Sequence, residues 1–245
     1  KFTYSFAAAE AMVPHILGSF RAYLDTCTSW EVIRDHTQIF VCFGGVPLKN
    51  GQISQGGTGC HIQRDALLAA GGAGIEIINV SPIKSDMLEE VGAEWLPLRP
   101  NTDVAMMLGL AHTLQVEGLT DQAFLDRYTQ GFEDFLPYLM GEQDGIAKTA
   151  DWAAEICEIP AETIRGLARR MAAQRTMISL SWSLTRQDHG EQPFWMGITL
   201  ASMLGQIGLL GGGFGFGYSA MNYIGGKFKS ISGASLPQGK NPIEN

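Results

Sequence analysis

No stretch of the 245 residues approaches the roughly 20 uninterrupted apolar residues that a membrane-spanning helix needs. No basic segment followed by an apolar one opens the chain, which therefore reads as a soluble piece. Basic residues are also short in supply. Seventeen Lys and Arg face 25 Asp and Glu, for a net charge of -8. That balance repels nucleic acid phosphates and anionic lipid headgroups at long range, so neither is expected as a partner. The four cysteines, Cys27, Cys42, Cys60 and Cys157, stand far apart with no C-x-x-C pair. Zinc or iron–sulfur ligation by this chain alone is thereby disfavoured, and packed thiols are expected. A G-x-x-x-x-G-K-[ST] phosphate loop is missing too.

What is present is an ordinary globular balance, 45% hydrophobic and 17% charged, with length enough for a substantial core. Three runs read as buried strands because β-branched and aromatic residues follow one another without polar alternation: 39–43, 75–80 and 177–182. Apolar side chains on both faces suit a parallel sheet covered on both sides. Helical patterns fall between them, over 62–70, 102–117, 160–173 and 191–207, stopped by glycines or opened by a proline. Strand alternating with helix, joined by right-handed crossovers, predicts an α/β fold. The expected form is an open, doubly wound, mostly parallel sheet with helices on both faces, of the dinucleotide-binding kind. The expected divisions are an edge of a neighbouring domain over 1–25, the α/β domain over 26–212 and a Gly-rich exit segment over 213–245. An opening at Lys1 and a polar close at Asn245 read as cuts in a longer polypeptide.

In such folds ligands bind beyond the carboxyl ends of the strands. After the first strand, Gly44-Gly-Val-Pro-Leu-Lys-Asn50 offers close backbone approach plus the Lys49 cation and Asn50 amide, or simply a tight turn with a solvated lysine. After the second, Val80 and Ser81 present a hydroxyl at a strand end, which suits a ribose or phosphate oxygen or a cap. Asn101, Thr102 and Asp103 open a helix. There they serve as cap and dipole partner, or the carboxylate accepts two parallel N–H bonds from the edge of a guanine or pterin ring. The third strand runs into Trp182-Ser-Leu-Thr-Arg-Gln-Asp-His-Gly-Glu-Gln192, too rich in functional side chains for a plain connector. Trp182 suits covering a flat ring, Ser183 adds a hydroxyl, Arg186 suits bidentate contact with oxygens, and His189 reads as a structural hydrogen-bonding residue. Gly215-Phe-Gly-Tyr-Ser-Ala220 matches G-x-G-x-x-A on paper but follows a helix and a glycine turn instead of a strand, so it is set aside.

The same run, continued through Thr199-Leu-Ala-Ser-Met-Leu-Gly-Gln-Ile-Gly-Leu209 to Gly211-Gly-Gly-Phe-Gly215, resembles the dimethyl sulfoxide reductase family of molybdenum oxidoreductases. The sulfoxide and N-oxide reductases are the nearest branch. Tyr4-Ser5, Met12-Val-Pro-His-Ile-Leu-Gly18, Pro47-Leu-Lys49 and Pro100-Asn-Thr-Asp-Val-Ala-Met-Met-Leu-Gly109 extend the likeness over nearly the whole chain. The resemblance implies a molybdenum atom held by two molybdopterin guanine dinucleotides, one of them clasped by this segment. It implies contacts from Lys49, Asn50, Val80, Ser81, Asn101, Thr102, Asp103, Trp182, Ser183 and Arg186. No catalytic residue or metal ligand is expected in the chain itself. The family's molybdenum-binding serine is expected upstream of Lys1 and a completing domain beyond Asn245. Where many relatives carry an acid in an Asp-Pro turn, this chain has Ser81-Pro82, so weaker ribose contacts are expected there.

The implied partners are the remaining domains of the same polypeptide, a small S-oxide or N-oxide substrate and an electron donor. The compartment, periplasmic or cytoplasmic, stays open. Two rivals remain: a nicotinamide-dependent dehydrogenase with a worn fingerprint, and an inert binding or scaffold fragment.

Overall fold

A computed structural model describes residues 7–20, 27–51, 61–218, 220 and 224–226. Its centre is a five-stranded sheet of order β3-β2-β1-β4-β5, every neighbouring pair parallel. The strands are β1 (Ile39–Phe43), β2 (Glu76–Val80), β3 (Glu94–Leu96), β4 (Thr176–Leu180) and β5 (Gly213–Phe216). The central strands form because Ile-Phe-Val-Cys-Phe in β1 and its neighbours place an apolar residue on each face at every step. Ile39, Val41 and Phe43 enter the larger core, while Phe40 and Cys42 enter the smaller one on the opposite face. Each such side chain, fully buried, contributes ~1.5–3 kcal/mol.

The larger face is covered by α1 (Ala7–Leu17), α5 (Asp103–Val116), α8 (Ala150–Cys157), α9 (Ala161–Ala173) and α10 (Gln192–Met203). The smaller face carries α2 (Trp30–His36) and α4 (Gln63–Gly72), which follows the single turn α3 (Leu48–Gly51). Between α5 and α8 lie α6 (Gln122–Tyr128) and α7 (Phe132–Leu139). Helix α9 has its predicted stripe, with Ile164, Leu167, Ala168 and Met171 buried, and its Arg170 reaches across to Glu76 of β2 and Glu94 of β3.

The α/β doubly wound expectation is met, with all five strands parallel. Two strands lie where none was expected. β3 is a three-residue edge strand, and β5 is built from the glycine cluster that reads as a turn. Ala9 and Val13 of α1 enter the larger core, and β5 pairs with β4. The third expected strand ends at Leu180. Residues Trp182–Thr185 form a 3-10 turn instead, because the Ser181 and Thr185 hydroxyls bond locally to the backbone. Cys42 and Cys157 are buried thiols, Cys27 is partly buried and Cys60 lies outside the described residues. Among the described residues no helix is long and apolar enough to cross a membrane.

Candidate dinucleotide site

From β1 the chain proceeds toward β2 on one side, while β4 lies on the other. Loops leaving the carboxyl ends of these strands diverge there and open a crevice. A cleft of about 310 Å³ occupies it, the size range of small-molecule sites. Four loops line it. The loop after β1 gives Gly44, Pro47, Lys49 and Asn50, and the loop after β2 gives Ser81, Pro82, Ile83 and Asp86. The segment after β3 gives Leu98, Pro100, Asn101 and Asp103, and the loop after β4 gives Ser181, Ser183, Leu184 and Gln187.

Each loop is held by its own chemistry. Gly44, at φ +77, donates its N–H to the Val80 carbonyl at 2.8 Å, and a Cβ there would stand 2.8 Å from the Ser181 Cβ. Only glycine allows the β1 and β4 loops to meet so closely. The Ser81 hydroxyl accepts from the Ile83 N–H at 3.2 Å and donates to the Asp86 carboxylate at 2.8 Å. Trp95 pins the same turn by donating its indole N–H to the Ser81 carbonyl at 2.8 Å. Ser183 donates to the Ser181 hydroxyl at 3.1 Å, and the Gln187 amide donates to the Leu184 carbonyl at 2.9 Å.

Asp103, the first residue of α5, is 3% exposed. Burial raises its carboxyl to about 7, and its own backbone N–H is the group that pulls the other way. Thr102 does not cap the helix with its side chain. Its hydroxyl donates to the Arg99 carbonyl at 2.6 Å. Asn101 takes a left-handed conformation, φ +66, and is exposed on the cleft wall.

Of the ten residues expected to bind, the structure brings Lys49, Asn50, Ser81, Asn101, Asp103 and Ser183 into this one cleft. Val80 is fully buried, with its side chain in the core. Trp182 sits at the head of its loop, but its indole faces inward, stacked on Phe194 at 5.3 Å and edge-on to Phe216 at 5.7 Å. A Cβ at Gly217 would run into that indole, so part of the G-x-G-x-x-A motif serves packing. Arg186 is exposed and does not form the wall, unlike its neighbours Leu184 and Gln187. Lys49 and Asp103 thus share one cleft wall that Trp182 and Arg186 do not line. His189 is also exposed, at φ +53, with Asp188 and Glu191 oxygens 3.7 Å from its ring nitrogens.

Asp86, Ser181 and Gln187 were missed. For Ser181 the available signal was a hydroxyl at a strand end and for Gln187 an amide in the loop after a strand, the logic that singles out Ser81; for Asp86 local spacing carries no such signal. Among the described residues no group of three or more His, Cys, Asp or Glu stands ready to hold a metal ion.

Comparison with known proteins adds an independent line. The family model described as molybdopterin oxidoreductase matches residues 4–242. The chain is 45% identical over 235 residues to a dimethyl sulfoxide/trimethylamine N-oxide reductase of Rhodobacter capsulatus, covering 95% of this chain and 28% of that protein. It is 42% identical to a biotin sulfoxide reductase of Cereibacter sphaeroides over 99% of this chain and 33% of the relative. It is 44% identical to a trimethylamine-N-oxide reductase of Haemophilus influenzae over 98% and 29%. The chain therefore spans about a third or less of these relatives' length. A solved acetylene hydratase from Pelobacter acetylenicus shares the fold, with a TM-score of 0.56 at 21% identity over 84% of this chain and 28% of the other. Matched to that family model over residues 4–242, the chain belongs to the molybdopterin oxidoreductase family.

Proposed function

We propose that this segment grips one molybdopterin guanine dinucleotide in the four-loop cleft and acts within a longer S-oxide or N-oxide reductase. The observation that carries the reading is a buried, protonatable carboxyl at the start of a long helix, lining a cleft at the switch point of a parallel sheet. Those residues fit the group. Asp103 in its ionised form accepts both N–H donors on the edge of a guanine, which offsets the cost of burying its charge. Lys49 supplies a cation for phosphate or pterin oxygens, with Asn50 beside it. Ser81 and the Val80 carbonyl side of the strand end face the ribose region. Asn101 and Thr102 shape the approach to Asp103. Trp182 and Ser183 form the β4 loop over the nucleotide, the indole as its anchor and the hydroxyl as its contact, and Arg186, outside the cleft wall, is left as a contact for the pterin beyond it.

When bound, the molybdenum and its dithiolenes supply the two-electron removal of oxygen from the substrate. The residues of this chain bind, orient and exclude water. Similarity to proteins named for dimethyl sulfoxide, trimethylamine N-oxide and biotin sulfoxide supports S- and N-oxides as the substrate class. The rest of the polypeptide and an electron donor complete the system.

Titration calorimetry of the chain with GMP, IMP and NADH tests the reading. IMP lacks the exocyclic amine and leaves half of the Asp103 carboxylate unpaired. GMP is expected to bind about tenfold or more tightly than IMP, and Asp103→Asn to erase that preference. Equal affinity for GMP and IMP, or tight NADH binding in their place, would defeat it.

A further inference from the structure

We infer that Asp86 is the ribose-recognising residue of this cleft, supplying from the turn after β2 the carboxylate that position 81 lacks. The inference rests on the nucleotide reading given above. Its starting point is the chemistry of the rim. Ser81, Ser183, Asn50 and Asn101 each both donate and accept, and Lys49 only donates. The Asp86 carboxylate, like that of Asp103 on the same wall, is acceptor-only when ionised, so any ligand group that meets it beyond Lys49 and Ser81 must be a donor. A phosphate offers acceptors and would be repelled. A ribose offers O–H donors.

The carboxylate is held for that purpose. One oxygen takes the Lys49 ammonium at 3.0 Å and the other takes the Ser81 hydroxyl at 2.8 Å. An ionised carboxylate has about four acceptor sites, so about two remain for a vicinal diol. The side chain keeps 13% of its surface exposed and lines the cleft. Its backbone is fixed as well. The Asp86 carbonyl accepts the Val46 N–H at 2.8 Å, and Gly45, at φ +66, lets the β1 loop press against it, since a Cβ there would lie 2.7 Å from the Asp86 Cβ. The same carboxylate thus holds Lys49 at the cleft wall and keeps lone pairs for the sugar. The general plan of doubly wound folds, in which an acid near the second strand's end takes ribose hydroxyls, agrees with this placement.

The test compares GMP with 2′,3′-dideoxy-GMP on the wild-type chain, Asp86→Asn and Asp86→Ala, by calorimetry. Removing both hydroxyls is expected to weaken wild-type binding about tenfold or more. In Asp86→Ala the two ligands should bind alike, while the GMP-over-IMP preference set by Asp103 persists. A loosened loop would weaken both ligands together and leave their ratio at the wild-type value, so that outcome overturns the inference, as does a wild-type ratio of one. If Asp86→Ala does not fold, Asp86→Asn decides. A fall of the ratio by about threefold or more supports the role, and an unchanged ratio overturns it. Failure of the wild-type chain to bind GMP at all would overturn the nucleotide reading and this inference together. A GMP-over-IMP preference with no hydroxyl dependence would overturn this inference alone.

Discussion

Asp103 begins α5 with its carboxyl raised by burial from the ordinary 3.8 to about 7. A folded value above the unfolded one fixes the sign of its effect on stability. Asp103 contributes most below pH ~4, and its contribution falls as pH rises through ~7, where the folded carboxyl must ionise against the cost of its burial. Between pH 5 and pH 8 its own share of that fall is ~2–3 kcal/mol. Urea denaturation of the unliganded chain should show the loss in wild type and not in Asp103→Asn, which should be the more stable of the two at pH 8. The depressed carboxyls of Asp35, Glu117 and Asp144, each hydrogen-bonded to a neighbouring cation at the surface, act in the opposite direction in both proteins. Subtracting the variant's curve removes them, and parallel curves would sink the assignment. The same raised carboxyl predicts proton release on ligand binding. Near pH 7, guanine N–H donors favour the ionised form, so the binding enthalpy should vary with the ionisation enthalpy of the buffer.

Helix α5 sets how accurately that carboxyl is aimed. It packs on α8, α9 and α10, and a Cβ at Gly109 would stand 2.8 Å from the Ala153 Cβ and 3.3 Å from the Ile164 Cγ2. Gly109→Val should therefore lower stability by about 1–3 kcal/mol through overpacking. An unchanged urea midpoint would contradict the close helix contact. The elements differ in how legible they were. β1 could be read to its last residue, because five apolar side chains and the following glycine pair leave no other pattern. β3 could not, since Glu94 and Trp95 are exposed and three residues carry no periodicity. β5 was hidden by its glycines, which suit turns in general but here admit neighbours. A Cβ at Gly215 would stand 2.9 Å from both the Met177 methyl and the Tyr218 hydroxyl. At the site, Lys49, Ser81 and Asp103 were legible as polar residues directly after strands or opening a helix. Asp86 was not, because its role depends on a turn folding back over Gly45, a long-range contact that local spacing does not encode. The inward packing of the Trp182 indole was hidden for a related reason. Its sequence neighbours are loop residues, but Phe194 and Phe216 come from elsewhere in the chain to bury it.

The molecule as a whole divides its stability unevenly between the floor and the walls of the cleft. β1 and β4 are buried at every position and pair with a strand on each side, so their amides should open only with global unfolding. The β2-to-β3 side is different. β3 is an exposed edge, and the stretch before it consists of short 3-10 turns, Lys84–Asp86 and Glu89–Val91, tied down by side-chain hydrogen bonds from Ser81, Asn79 and Trp95. Hydrogen exchange followed by mass spectrometry should therefore find β1 and β4 slowest and residues 81–96 among the fastest of the sheet layer. A ligand seated at the switch point has little protection to add to the floor. Saturating GMP should accordingly slow exchange most in residues 81–87 and 98–103, the two wall segments that carry Asp86 and Asp103. Protection spread evenly over the sheet, or gained at the amino ends of the strands, would mean that the nucleotide sits somewhere other than this cleft.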